Sequence, residues 1–564
     1  MKRETLAREM SVSSFSRSLL FAFTCTLASC GAIVDEPGAS PPPVDPVNPP
    51  PEEVVPKIDY LIINADPLSA TAERWAEYRR STGRLTEVKA VSKIIGDAAR
   101  ADVTTTIRDF VKKRYDLRDP KKPFFVLLLG DASGDGPLDG SEIPAGEYVE
   151  GFDQSKVVTD NLYADMDGDH IPDVALGRVA VTTEAEADLV LEKTKKYETT
   201  YEVGTWNRRF NLFASTGGFG DEVDAQIESL VFEIIEEIPY DYEATMTYAK
   251  QASPYVFVPE KFSDKVYERM NEGSLMMAYL GHGDEKGFAT LEWNGASFPI
   301  LDTNPLASKI EVVHKTPILT LIACLTGRFT FGDSVSEQIL KTKTGPIAVL
   351  SSTEVSHPYA NALFIRELAQ SVTISKKATV GEAFIDAKRR TISNNDALRK
   401  KIEGLIGFLI DVKEREALRR SHLYMYELFG DPALTIAYPK KQAELTLSTT
   451  TAAPGAEIKV TAKIPDIGKG QALVTLESRR SNVTGSIKPV PPDGDASRDA
   501  VIAENYAAAN DHAVAKKTLQ HEGATFETTL TVPLAVPPGD YFVRVHADDG
   551  KIDAVGAAKV TVGP

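Results

Sequence analysis

The chain has 564 residues, of which 42% are hydrophobic and 26% charged, and a formal net charge of −18. One hydrophobic core cannot organise that length, so about two to four domains are expected. The surplus of carboxylates argues against a surface built to bind phosphate backbones, and no nucleic-acid partner is expected. The three cysteines, Cys25, Cys30 and Cys324, leave one thiol beyond the N-terminal region. That is too few for a disulfide framework or a Cys-rich zinc site.

In chain order, Lys2, Arg3, Arg8 and Arg17 precede the apolar stretch "LLFAFTCTLA", which is too short to span a bilayer. A basic region, a short apolar core and small residues read as an export signal over 1–30. Its end, Leu27-Ala28-Ser29-Cys30, resembles the bacterial lipobox, in which the cysteine is lipidated. Cys30 is therefore the expected lipid attachment site, placing the protein on the bacterial cell envelope at the outer membrane or cell surface. Residues 31–56 are Pro-rich and poor in apolar side chains, the composition of an extended tether.

From 57 to 440 strand and helix patterns alternate. Apolar runs at 60–65, 124–131, 173–179, 211–216, 275–283, 318–324 and 346–352 read as strands buried on both faces. Helical patterns cover 70–82 and 184–198, the second opened by a Thr183–Glu186 capping-box spacing. Such alternation predicts a mostly parallel α/β sheet in two side-by-side subdomains, 57–207 and 208–440, each with its own sheet. From 443 to 564 the period-2 pattern, the Thr and Val enrichment, and the Pro-Gly and Asp-Gly turns predict an immunoglobulin-like β-sandwich.

Two predicted strands end in reactive residues, "YLGHG" at His282 and "LIAC" at Cys324. Ligands of open parallel sheets bind beyond the carboxyl ends of the strands, so these two residues can meet there. A thiolate is a nucleophile, and a neighbouring imidazole both lowers the thiol pKa and protonates a leaving amine. Gly283 leaves room for a substrate and offers a backbone N–H to an oxyanion, and the Cys324 N–H is a second candidate donor. A single cysteine with a histidine upstream has the order found in caspase-type enzymes. His314 and His357 lack the strand-then-glycine context and read as surface or turn residues.

The segments "YLGHG", "LIACLTGRF", "GPIAVLSSTEVS", "LFGDPAL" and "DNLYADMDGDHIPDVALGR" resemble the gingipain family of cysteine peptidases, members of the caspase-like clan. The resemblance covers roughly 57–440 and implies a caspase-like core. It also implies an endopeptidase acting on protein or peptide substrates, with Cys324 attacking the carbonyl and His282 as acid and base. Family members hold a basic P1 side chain with an aspartate; Asp224 falls nearest that place, with Asp221 as competitor. The acidic residue that assists the family histidine is not matched, since its place falls near Thr216.

The chemistry needs no cofactor. Asp165, Asp167, Asp169 and Asp173 in "DMDGDHIPD" nonetheless suit a structural Ca²⁺, which takes several oxygen ligands in flexible geometry, as well as they suit a solvated acidic turn. Other readings are an inactive surface lipoprotein used for adhesion, a non-peptidase cysteine hydrolase or acyltransferase, and a metal-dependent hydrolase built on His282, Asp284 and the acidic loop.

Overall fold

The computed structural model describes residues 55–149, 156–405 and 410–563. The export signal, Cys30 and residues 31–54 of the tether lie outside the described residues. In chain order, the strands of the principal sheet are β1 (Tyr60–Asn64), β2 (Thr86–Ala90), β3 (Phe125–Leu129), β4 (Ala175–Val179) and β5 (Arg209–Ser215). They continue with β6 (Glu243–Ala249), β7 (Met276–Leu280), β8 (Ile318–Ile322), β9 (Ala348–Ser352) and β10 (Tyr426–Gly430). The helices between them are α1 (Ser69–Ser81), α2 (Val103–Tyr115), α3 (Glu184–Thr199), α4 (Asp221–Glu237) and α5 (Phe262–Asn271). They continue with α6 (Val335–Leu340), α7 (Pro358–Thr373), α8 (Val380–Ser393) and α9 (Arg415–Met425).

The apolar runs fold as strands because helices cover both faces, which leaves no polar side for the pattern to alternate against. All five residues of β1, β3, β8 and β10 are buried. Along β7, Met277 and Tyr279 join the core that contains Val266 of α5 and Val335 of α6. Met276 and Ala278 point the other way, into the core that contains Ile234 of α4 and Leu363 of α7.

Two separate sheets with a break near 200–210 were expected, but the ten strands form one sheet in the order β2-β1-β3-β4-β10-β9-β8-β7-β5-β6. The last strand closes the gap. β10 runs antiparallel to β9, with Val349 opposite Phe429, and meets β4 in parallel at Phe429 and Arg178. Without it, β4 and β9 would each present an unpaired edge in the middle of the molecule.

Buried polar groups flank both ends of this seam. Glu427 accepts hydrogen bonds from Thr159 Oγ1 (2.9 Å), Asp160 N (2.8 Å) and Asn161 Nδ2 (2.9 Å). Just past β10, Asp431 accepts from Trp75 Nε1 (2.6 Å) and Arg79 Nε (2.8 Å), both on α1. Arg79 also pairs with Glu198 of α3 at 2.8 Å.

The C-terminal region is a two-sheet antiparallel sandwich. Its strands are β11 (Glu444–Leu447), β12 (Glu457–Lys463), β13 (Gly470–Ser478), β14 (Ala513–His521), β15 (Thr525–Thr531), β16 (Gly539–Asp548) and β17 (Asp553–Val562). One sheet contains β17-β16-β13-β14, the other β11-β12-β15. Between β13 and β14 the chain leaves the sandwich and forms α10 (Arg498–Asn510), an excursion not expected from the strand pattern. That excursion docks on the outer strand β6. The Asn510 side chain accepts from Met246 N (2.7 Å) and donates to Met246 O (3.0 Å), covering part of the exposed edge.

Two stability predictions follow from buried charge. Asp431→Ala leaves the Arg79 guanidinium and Trp75 N–H without their buried acceptor, so urea denaturation should show a loss of about 3–5 kcal/mol. Glu337, in the capping box of α6, is buried, and desolvation raises its carboxyl from 4.5 to about 8. The folded state holds that proton while the unfolded state has released it, so unfolding free energy should fall as pH rises from 4.5 to about 8. In Glu337→Gln, followed by denaturation at several pH values, this slope should flatten.

Candidate active site

β7 and β8 are parallel and paired through Leu280 and Ile322. His282 and Cys324 each lie two residues beyond that pair, so the register delivers both to the same edge of the sheet. Because side chains alternate, His282 shares a face with Leu280 and Cys324 shares the same face with Ile322. The ladder extends one step further through Gly281 N to Ile322 O at 3.2 Å.

Glycine at 281 is required by close approach: a Cβ there would come within 2.1 Å of Ser215 Oγ, at the end of β5. The same hydroxyl accepts from His282 N at 3.3 Å, and Tyr279 OH donates to His282 O at 2.8 Å. The imidazole Nε2 lies 2.6 Å from Gly217 O. A carbonyl only accepts, so Nε2 carries the hydrogen and Nδ1 is the atom free to exchange a proton. The group orienting the histidine is thus a backbone carbonyl, one residue past Thr216.

Asp224, in the first turn of α4, fixes that carbonyl's loop. Its carboxylate accepts from Gly218 N (3.0 Å) and Phe219 N (3.1 Å), one bond to each oxygen. Asp221, at the start of the same helix, is exposed.

Cys324 is half-buried, and Ser356 N lies 3.4 Å from its Sγ. The Ser356 hydroxyl is held by Asn361 Nδ2 at 2.8 Å, and Asn361 in turn accepts from Tyr426 OH at 2.7 Å. Immediately after the cysteine, Leu325 has φ 59°, the left-handed region that a bulky residue enters only at a cost of about 1–3 kcal/mol. The turn is held by Gly327 N to Ser352 O (2.8 Å) and by Ser336, whose N–H and hydroxyl both donate to Thr326 O. A capping helix, α6, therefore braces the cysteine loop. Its Val335 N also donates to Glu285 O, bracing the histidine loop as well.

Gly283 abuts the cysteine's neighbour, since a Cβ on it would lie 3.1 Å from Ala323 Cβ and 2.8 Å from Thr326 Cγ2. It bridges Phe288 in a short hairpin whose bonds run from Ala289 N to His282 O and from Asp284 N to Gly287 O. That pattern makes Gly283 the non-hydrogen-bonded member, so its N–H faces away from Phe288.

His282 and Cys324 both line a cavity of about 900 Å³. Asp224 lines it too, as do residues that sequence reasoning missed: Ser356, Asn361, and Ser481 and Val483 from the sandwich excursion. His357, expected at a surface or turn, is half-buried in the cavity wall and caps α7 by accepting from Tyr359 N at 3.2 Å. No sequence signal marks these positions, because they reach the cavity from elements remote in the chain.

Among the described residues, two acidic groups bring ligand atoms within 4.8 Å of one another: Asp165, Asp167 and Asp173, and Asp131, Asp333 and Glu337. Asp169 is not in the first group; its Oδ1 accepts from Ile171 N at 2.8 Å. Neither group contains His282 or Asp284, and Asp284 accepts from the N–H groups of Lys286 and Gly287 in its own turn.

Among curated proteins, Lys-gingipain of Porphyromonas gingivalis is 24% identical over 195 residues, 34% of this chain and 10% of that protein. Lys-gingipain W83 of the same organism is 23% identical over 240 residues, 41% of this chain and 12% of the relative. The match thus spans only about a tenth of those relatives' length. A solved structure described as a protease superposes with a TM-score of 0.50 at 14% identity, covering 89% of this chain and 97% of that one. The Arg-specific gingipain R gives 0.49 at 17% identity, covering 89% and 98%. At those identities the likeness concerns the fold. The model of peptidase family C25 matches residues 54–437, most of the chain, and the chain belongs to that family.

Proposed function

We propose that this protein is a cysteine endopeptidase in which Cys324 is the nucleophile and His282 the acid and base. The single observation that carries the reading is the parallel register of β7 and β8, which sets the two residues at one step of the same sheet edge. The Cys324 thiolate adds to the peptide carbonyl carbon, forming a C–S bond and an oxyanion that the N–H groups of Gly283 and Cys324 receive. Collapse expels the amine, which takes its proton from His282 Nδ1. Water, deprotonated by the same nitrogen, then cleaves the thioester and releases the acid. The Gly217 carbonyl keeps the ring in the tautomer this cycle needs.

The proposal extends to export and to lipid attachment at Cys30, which would hold the enzyme on the cell envelope. A basic P1 preference would rest on Asp224, whose oxygens each accept one backbone N–H and keep a further lone pair and the negative charge for a substrate cation. A structural Ca²⁺ would be held by Asp165, Asp167 and Asp173, whose hard oxygens suit that ion.

A second reading, an inactive surface protein using the fold for adhesion, is favoured by the carbonyl that stands in place of a carboxylate behind His282. The two part on activity. Incubated with a peptide library and read by mass spectrometry, the full chain should cleave and Cys324→Ala should not. His282→Ala should lose about 10²–10⁴-fold in kcat. Gly283→Ala, which wedges a methyl against Thr326, should lose about 10²-fold or more. No cleavage by the parent, with a thiol no more reactive than free cysteine at neutral pH, would leave the adhesion reading. Added CaCl2 should raise the melting temperature of the parent and leave that of Asp167→Asn unchanged; an equal response from both would remove calcium from the first acidic group.

A further inference from the structure

Among the described residues, every hydrogen bond of the Cys324 Sγ is to one residue, Ser356, just beyond β9. The Ser356 N–H nitrogen lies 3.4 Å from the sulfur, the carbonyl oxygen 3.7 Å and the hydroxyl oxygen 3.9 Å. In the thiol, the S–H donates to that carbonyl. Once the proton has left, the sulfur can only accept, and the N–H and O–H of Ser356 are the donors beside it. The hydroxyl is directed. Asn361, near the start of α7, donates from Nδ2 to Ser356 Oγ at 2.8 Å, which takes up a lone pair and leaves the hydroxyl hydrogen for the sulfur. Asn361 Oδ1 accepts from Tyr426 OH at 2.7 Å, so the amide is held at both ends. Tyr426 is fully buried, and its ring stacks on Phe364, about one turn along α7 from Asn361. It opens β10 opposite Ser352, the last residue of β9. Because β10 runs antiparallel, its first residue comes to the sheet edge where Cys324 stands.

From this chain of donors we infer that Ser356, directed by Asn361 and Tyr426, donates its hydroxyl hydrogen to the Cys324 thiolate and holds the nucleophile in that form. The inference rests on the cysteine peptidase reading, and adds to it the groups that keep the sulfur ionised before a substrate arrives. Ser356 touches the reacting sulfur; Asn361 and Tyr426 are positioning residues that act through it. A hydrogen bond to an ionised acceptor is about twice as strong as one between neutral groups, so the serine favours the thiolate over the thiol. The neutral Gly217 carbonyl behind His282 favours a charged imidazole less than a carboxylate would, which leaves more of the ion's stabilisation to donors at the sulfur.

The test uses the full chain and follows its alkylation by iodoacetamide from about pH 5 to 10, read by mass spectrometry on the peptide that contains Cys324. The thiolate displaces iodide, so no turnover is required. Ser356→Ala and Asn361→Leu, with their folds checked by melting temperature, should each move the midpoint of the rate–pH profile upward by about one unit. The plateau at high pH should be kept or raised, because a thiolate with fewer donors is the better nucleophile. The double variant should move the midpoint no further than Ser356→Ala does, since Asn361 acts through the serine. A midpoint that stays or falls in either folded variant would overturn the inference, as would shifts that add in the double variant. A peptide library is assayed alongside. If the midpoints move while the parent cuts nothing, the peptidase reading fails and the role of Ser356 stands; cleavage by the parent with unmoved midpoints removes that role alone.

Discussion

Everything in this molecule hangs on β10, a strand drawn from the end of the α/β region and laid between the two halves of the sheet. Its ends are secured by buried acidic side chains, Glu427 on one side and Asp431 on the other. Both side chains are nearly inaccessible. Burying an acidic side chain is costly unless its oxygens find partners, and here the N–H and O–H groups of Trp75, Arg79, Thr159 and Asn161 provide them. These donors come from the first half of the chain, so β10 is held in the sheet by contacts remote in sequence. The arrangement gives register as well as attachment, because each hydrogen bond is satisfied in one alignment alone.

With the sheet continuous, the order β9-β8-β7-β5 fixes what surrounds the cysteine. β7 contributes His282, β5 ends at Ser215 and the Gly217 carbonyl, and the loop after β9 supplies Ser356 against the thiol. Each strand delivers one component, and the glycines at 281 and 283 allow them to approach within contact distance. Leu325 in the left-handed region is the conformational cost of turning the chain away from Cys324. That cost is met by α6, which holds the loops after both reactive residues.

The sandwich is part of this construction. Arg480 donates to the carbonyls of Ile235, Pro239 and Tyr242, and Asn510 occupies the edge of β6 with its side-chain amide. Ser481 and Val483 follow directly and reach the cavity wall. An edge strand left open is a site for unwanted pairing, so the excursion between β13 and β14 protects β6 and lines the cavity at once.

The seven apolar runs are visible in the sequence, since strands buried on both faces leave near-continuous hydrophobic stretches, and all seven overlap strands of the sheet. β2 and β6 lie at its margins, where "TEVKA" and "EATMTYA" mix polar with apolar residues and give no such signal. His282 and Cys324 stand out only as a pair, since a lone cysteine after an apolar strand reads as a buried small hydrophobe and a lone histidine in a Gly-rich turn as a turn residue, whereas together they end strands of matching character. Asp224 stood out only as a charge near the right place; whether its oxygens face a ligand or the backbone depends on a loop conformation that no local pattern encodes. The same holds for the Gly217 carbonyl, which belongs to every residue type alike and so leaves no mark in the sequence. Local periodicity and residue chemistry thus determined seven of the ten strands and the reactive pair. The place of β10, the orienting carbonyl and the cavity wall were decided by contacts between residues far apart in the chain, which only the packed tertiary structure brings together.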